Sequence, residues 1–118
     1  MRIFIPAALV NLLIATPAHA TGGLICRTAG SRPIEATVVI SHTIVPSVVS
    51  ARLRDSGRDV PVQVAQSWLE PNELRLDLVD LNAGRHELRL RVKRNGRTYD
   101  GTLWRAAERR WVRCREGG

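Results

Sequence analysis

Sulfur, lysine and aromatic rings are all scarce in this chain. Its 118 residues hold two Cys, one Met, one Lys, and aromatics at only 4%. Two cysteines without a Cys-x-x-Cys pair argue against a structural zinc site and against a redox dithiol. There is no Gly-x-Ser-x-Gly, no His-Glu-x-x-His and no phosphate-binding glycine loop, the arrangements that position a nucleophile, a catalytic metal or a nucleotide. The acids stand singly, mostly at turns or beside arginines. An enzyme is not expected, and no metal or cofactor.

Long apolar runs are also lacking, with one exception. Ile3 to Ala15 is apolar except at Pro6 and Asn11, behind the positive Arg2 and ahead of Thr16-Pro17 and the small-x-small triplet Ala18-His19-Ala20. That order is the signature of a secretory signal peptide, and the run is too short for an anchor of about twenty apolar residues. The expectation is a signal peptide over residues 1–20, cleaved after Ala20, and a periplasmic or secreted domain over 21–118. In such a compartment Cys26 and Cys114, near the two ends of the domain, are expected to form a disulfide.

What is abundant is arginine. Beyond residue 20 there are 17 Lys and Arg against 11 Asp and Glu, a net charge of +6. Residues 85–115 alone carry eleven Lys and Arg against three acids, a net +8, so the rest is slightly acidic.

Apolar residues alternate with polar ones in short segments divided by turn residues, the pattern of an all-β domain. Ile34, Ala36, Val38 and Ile40 share one face, as do Leu74, Leu76 and Leu78. Val49, Ala51 and Leu53 share another such face, and Trp68 continues the parity of Val60, Val62 and Val64. Asn95-Gly96 predicts a two-residue hairpin turn, with Val92 opposite Tyr99, Leu90 opposite Gly101 and Leu88 opposite Leu103. Arg89 and Arg91 then point outward, with Glu87 opposite Trp104. A second hairpin turning at Ala107-Glu108 sets Leu103 opposite Val112 and Trp104 opposite Trp111.

From Ser47 to Trp104 the order of features resembles the copper-resistance C (CopC-like) domain. Ala51 to Gly57 matches its strand and polar Asp-x-Gly turn. Leu74 to Leu78 matches an alternating strand, Ala83-Gly84 the dipeptide before the next one, and Val92 to Gly101 a strand, tight turn and returning glycine. The resemblance implies a small immunoglobulin-like antiparallel β-sandwich of about seven to eight strands. It does not carry over the copper site, because the turn that holds a histidine ligand in that family is Asn95-Gly96-Arg97 here. A copper-binding protein is one alternative function. The other is a periplasmic enzyme inhibitor of the lysozyme-inhibitor type, on a small eight-stranded β-barrel whose cysteines also lie near both chain ends.

The expected function is a non-catalytic binding or structural module. Its partner face is expected to hold Arg89, Arg91 and Arg113 with Trp104 and Trp111. Guanidinium forks pair with phosphate or carboxylate, and indoles offer flat surface for stacking. An anionic envelope component or an acidic protein would suit that face. The compartment disfavours nucleic acid.

Overall fold

The computed structural model describes residues 21–117; the signal peptide expected over 1–20 and its cleavage site lie outside them. Nine antiparallel strands follow one another: β1 (Thr21–Thr28), β2 (Ile34–Ser41), β3 (Ser47–Asp55), β4 (Arg58–Val60), β5 (Gln63–Glu70), β6 (Glu73–Val79), β7 (His86–Asn95), β8 (Thr98–Arg105) and β9 (Glu108–Gly117). They form one sheet in the order β4-β3-β2-β1-β9-β8-β7-β6-β5. The all-β expectation holds. Where a two-sheet sandwich would break the ladder, β1 pairs with β9 and the sheet runs on, so nine strands share one sheet rather than seven or eight sharing two. The sheet curls until β3 and β5 come into contact without sharing a ladder, an arrangement nearer the barrel alternative than the sandwich.

Tight turns set this topology. Ser56 and Gly57 both have positive φ, 54° and 85°, the pair of angles a type I′ hairpin turn demands. The β7–β8 hairpin turns at Gly96-Arg97, one residue later than Asn95-Gly96, so that Asn95 pairs with Thr98. Gly96 alone has positive φ, 66°, which suits the first position of a type II′ turn. The register therefore moves by two from expectation: Val92 opposes Gly101, Leu90 opposes Leu103, and Trp104 opposes Arg89 rather than Glu87. A shift of two leaves every side chain on its expected face, because strand side chains alternate with period two.

The β8–β9 hairpin shifts likewise. Arg105 pairs with Glu108 across Ala106-Ala107, and Ala106 takes the positive φ, 56°, that glycine would hold more cheaply. Trp104 consequently opposes Arg109, Trp111 opposes Thr102, and Val112 opposes Gly101, where Trp104–Trp111 and Leu103–Val112 pairs were expected.

Two bulges change which residues face inward. Opposite Val39 and Ile40 the β3 ladder steps from Ser50 to Val48, so Val49 is extra. Val49 is exposed, while Val48, Ala51 and Leu53 turn inward. In β5 the ladder steps from Val64 to Gln66, leaving Ala65 extra. Beyond it the parity reverses: Leu69 packs against the core and Trp68 faces out.

The concave side holds the core. Ile34, Ala36, Val38 and Ile40 from β2, Leu74, Leu76 and Leu78 from β6, and Leu88, Leu90 and Val92 from β7 are all buried. Gly101 admits β7 closely, since a Cβ there would collide with the backbone of Arg91 and Val92. Cys26 and Cys114 stand directly opposite each other in the β1–β9 ladder and are joined, S–S 2.04 Å, with no exposed surface. The expected disulfide thus ties the first strand to the last.

Charge seals one end of the curl. Arg105 Nε donates to Asp55 Oδ2 at 2.6 Å, and its Nη1 donates to the Glu87 carboxylate and carbonyl, each at 3.0 Å. Nearby, Arg110 Nη1 donates to the Arg32 carbonyl at 2.7 Å, and the Ile34 amide donates to Thr28 Oγ1 at 2.8 Å. Arg105 holds the Asp55 carboxyl below its ordinary range, and Arg85, then Arg105, does the same for Glu87.

Candidate functional site on the convex face

The registers of β5 to β9 arrange the convex side chains in rows. One row runs Trp68, Arg75, Arg91, Thr102, Trp111. The next runs Gln66, Asp77, Arg89, Trp104, Arg109. With neighbouring strands about 4.8 Å apart, Trp68 and Trp111 stand roughly 19 Å from each other along the sheet, and Trp104 lies between them one row over.

Each indole carries a guanidinium. Arg75 lies 5.6 Å from the Trp68 ring centre, Arg89 5.7 Å from Trp104, and Arg113 5.1 Å from Trp111. Cation–π contacts at exposed sites contribute only about 0.5–1 kcal/mol each. Their consequence here is to lay flat cations against flat rings. Trp68 and Trp111 remain 52% and 56% exposed, and Trp104 is half-buried. Between Trp68 and Trp104 lies a shallow groove of about 510 Å³ that also presents Arg75, Arg89 and Arg91.

The five expected site residues all face outward, but they differ in how far their charge is already answered. Arg113 donates twice to Asp100, at 2.9 and 3.2 Å. Arg113 first, and then the Asn95 amide, holds the Asp100 carboxyl at about 2. Arg91 shares Glu73 with Arg75, at 3.3 and 2.8 Å, and these contacts lower that carboxyl, Arg75 most. Arg89 makes no ion pair among the described residues; neither does Arg109, beside Trp104. Lys93 and Arg115, on the same face, make none either, so Arg89 and Arg109 are the two unpaired cations that flank Trp104.

Trp68 and Arg75 were not among the expected residues, because the parity carried through from Val60 pointed Trp68 inward. A signal for them does exist. Counting back from Leu74 across the Pro71-Asn72 turn pairs Leu69 with Leu74 and Trp68 with Arg75, which puts the indole outside.

His86 Nδ1 lies 3.0 Å from Asp77 Oδ1 at the edge of the face. Among the described residues no three His, Cys, Asp or Glu side chains come together as a metal-ligand set. No family model, no curated protein and no solved structure matches the chain.

Proposed function

We propose that this protein is a non-catalytic binding module of the periplasm or the secreted space, and that the convex face of β5 to β9 docks an anionic component of the cell envelope. One observation carries the reading: three arginine–tryptophan stacks share that face, and in the central one, Arg89 on Trp104, the guanidinium makes no ion pair among the described residues, its neighbour Asp77 being engaged by His86. Exposed indoles on a small domain cost free energy unless a partner covers them. A guanidinium against an indole presents charge and flat surface together, which suits phosphate- or carboxylate-bearing groups. Export is supported by the leader pattern of residues 2–20 and by the buried disulfide, which fits an oxidising compartment.

Cosedimentation with vesicles of anionic phospholipid tests the reading, with zwitterionic vesicles as the control. The protein should bind the anionic vesicles in a salt-sensitive way. Arg89→Glu and Trp68→Ala should each weaken binding by about tenfold, the scale of one lost charge-assisted contact or stack. Binding that is unaltered by both substitutions, or equal on zwitterionic vesicles, overturns it.

A further inference from the structure

The end of the curl opposite Arg105 is built differently. Here the concave side opens into a hollow of about 670 Å³ whose wall is formed by Leu24, Ile40, Leu69 and Tyr99. The loop between β2 and β3 stands at its lip, with Ile44 100% and Val45 71% exposed. A volume of this size, mostly apolar with a few polar groups converging on it, is that of a small-molecule site.

The polar groups are ordered. The Tyr99 hydroxyl donates to the Pro71 carbonyl at 3.3 Å and accepts from Arg94 Nη1 at 3.4 Å. The Arg94 guanidinium lies 5.7 Å from the Tyr99 ring centre, and its Nε donates to the Gly96 carbonyl at 3.3 Å. Its partners are thus a phenol and a carbonyl, both neutral. Glu70, Glu116 and His42 also line the hollow, yet neither carboxylate makes an ion pair with Arg94. A cation at the rim of an apolar hollow that makes no ion pair among the described residues can meet a ligand with an anionic head and an apolar body.

We propose that this open end binds a free single-chain amphiphile with an anionic head, of the fatty-acid type. The chain enters from the β2–β3 lip and packs against Leu24, Ile40 and Leu69, and the head group meets Arg94. The ion pairs of Arg105 and the hydrogen bond from Arg110 to the Arg32 carbonyl close the far end, so the ligand stops inside the curl. This site shares no residue with the Trp68–Trp104 groove.

Calorimetric titration of the oxidised, folded protein with dodecanoate, and with dodecanol as the uncharged match, decides the matter. Dodecanoate should bind saturably at one per chain, and dodecanol about tenfold more weakly, for want of one charge-assisted hydrogen bond. Arg94→Met keeps an apolar stem over Tyr99 and should bring dodecanoate down to the affinity of the alcohol. Val45→Asp, on the exposed lip, should weaken both ligands without unfolding the protein. Absence of saturable dodecanoate binding overturns the proposal, as does equal affinity for acid and alcohol. Failure with dodecanoate combined with sedimentation of Arg89→Glu on zwitterionic vesicles also overturns it, and assigns this end to a bilayer instead.

Discussion

The two ends of the curled sheet solve the same problem with opposite materials. Any curl leaves a ring of backbone and side chains at each end where the core meets water. At one end an arginine from β8 reaches β3 and the start of β7, and the charges answer one another. At the other end Ile40, Leu69 and Tyr99 meet an open hollow, and Arg94 at its rim makes no ion pair among the described residues. The polar end thus closes on its own charges, whereas the apolar end opens into a hollow. The sealed end contributes to stability, and the open end is where the amphiphile is proposed to bind.

The largest expected effect tests what both ends depend on. The Cys26–Cys114 bridge spans 88 residues and joins the strands on which the continuity of the sheet rests. Replacing both cysteines by serine should lower stability by about 2–5 kcal/mol in denaturant melts. Hydrogen exchange should rise at both ends together. A loss confined to one end would show that the ends are stabilised independently and that the bridge serves only its own neighbourhood.

Breaking the sealed end comes next. Arg105→Ala leaves Asp55 and Glu87 facing each other's charge; because the site is partly solvated, the loss should be about 1–3 kcal/mol, below that for a fully buried pair. The contribution should depend on pH in one direction. Both carboxyls sit below their ordinary values of 3.8 and 4.5 in the folded protein. Their stabilisation is thus present above those values and is lost as pH falls through the lowered ones. Thermal melts of the parent and the variant should differ at neutral pH and converge in acid. A gap that persists unchanged in acid would mean that Arg105 acts through packing of its stem.

How much of this could be seen in the residues themselves depended on the turns. The faces of β2, β6 and β7 follow directly from strict alternation of aliphatic and polar residues, and the disulfide from two cysteines in a chain whose leader pattern predicts export. Asn95-Gly96 marked the right hairpin but not its centre, since a glycine can serve as the first turn residue as readily as the second. Ala106 carries positive φ at a position whose residue type gives no warning. Both errors moved the register by two and so preserved the faces, which is why Arg89, Arg91, Arg113, Trp104 and Trp111 all lie outside as expected. A bulge is less forgiving. Ala65 adds a single residue, reverses parity, and sends Trp68 to the convex face. The sealed end was illegible for another reason: Arg105 and Asp55 lie 50 residues apart and meet only once the sheet has curled.

The smallest effect is expected at the lip of the open end, and it sharpens the contrast most. Ile44 is fully and Val45 largely solvated, so replacing both by serine removes little buried apolar surface. Thr43 Oγ1 donates to the carbonyl of Val45 at 3.2 Å, a contact that the substitutions leave in place. The change in unfolding free energy should stay within about 0.5 kcal/mol, as for ordinary surface sites. Dodecanoate affinity should nevertheless fall, because the lip would no longer offer apolar surface to the chain. A stability loss above about 1 kcal/mol would mean that the two side chains are buried in solution, folded over Ile40 and Leu69. The loop would then be the cover of its own hollow, and the two ends would differ in material but not in completeness.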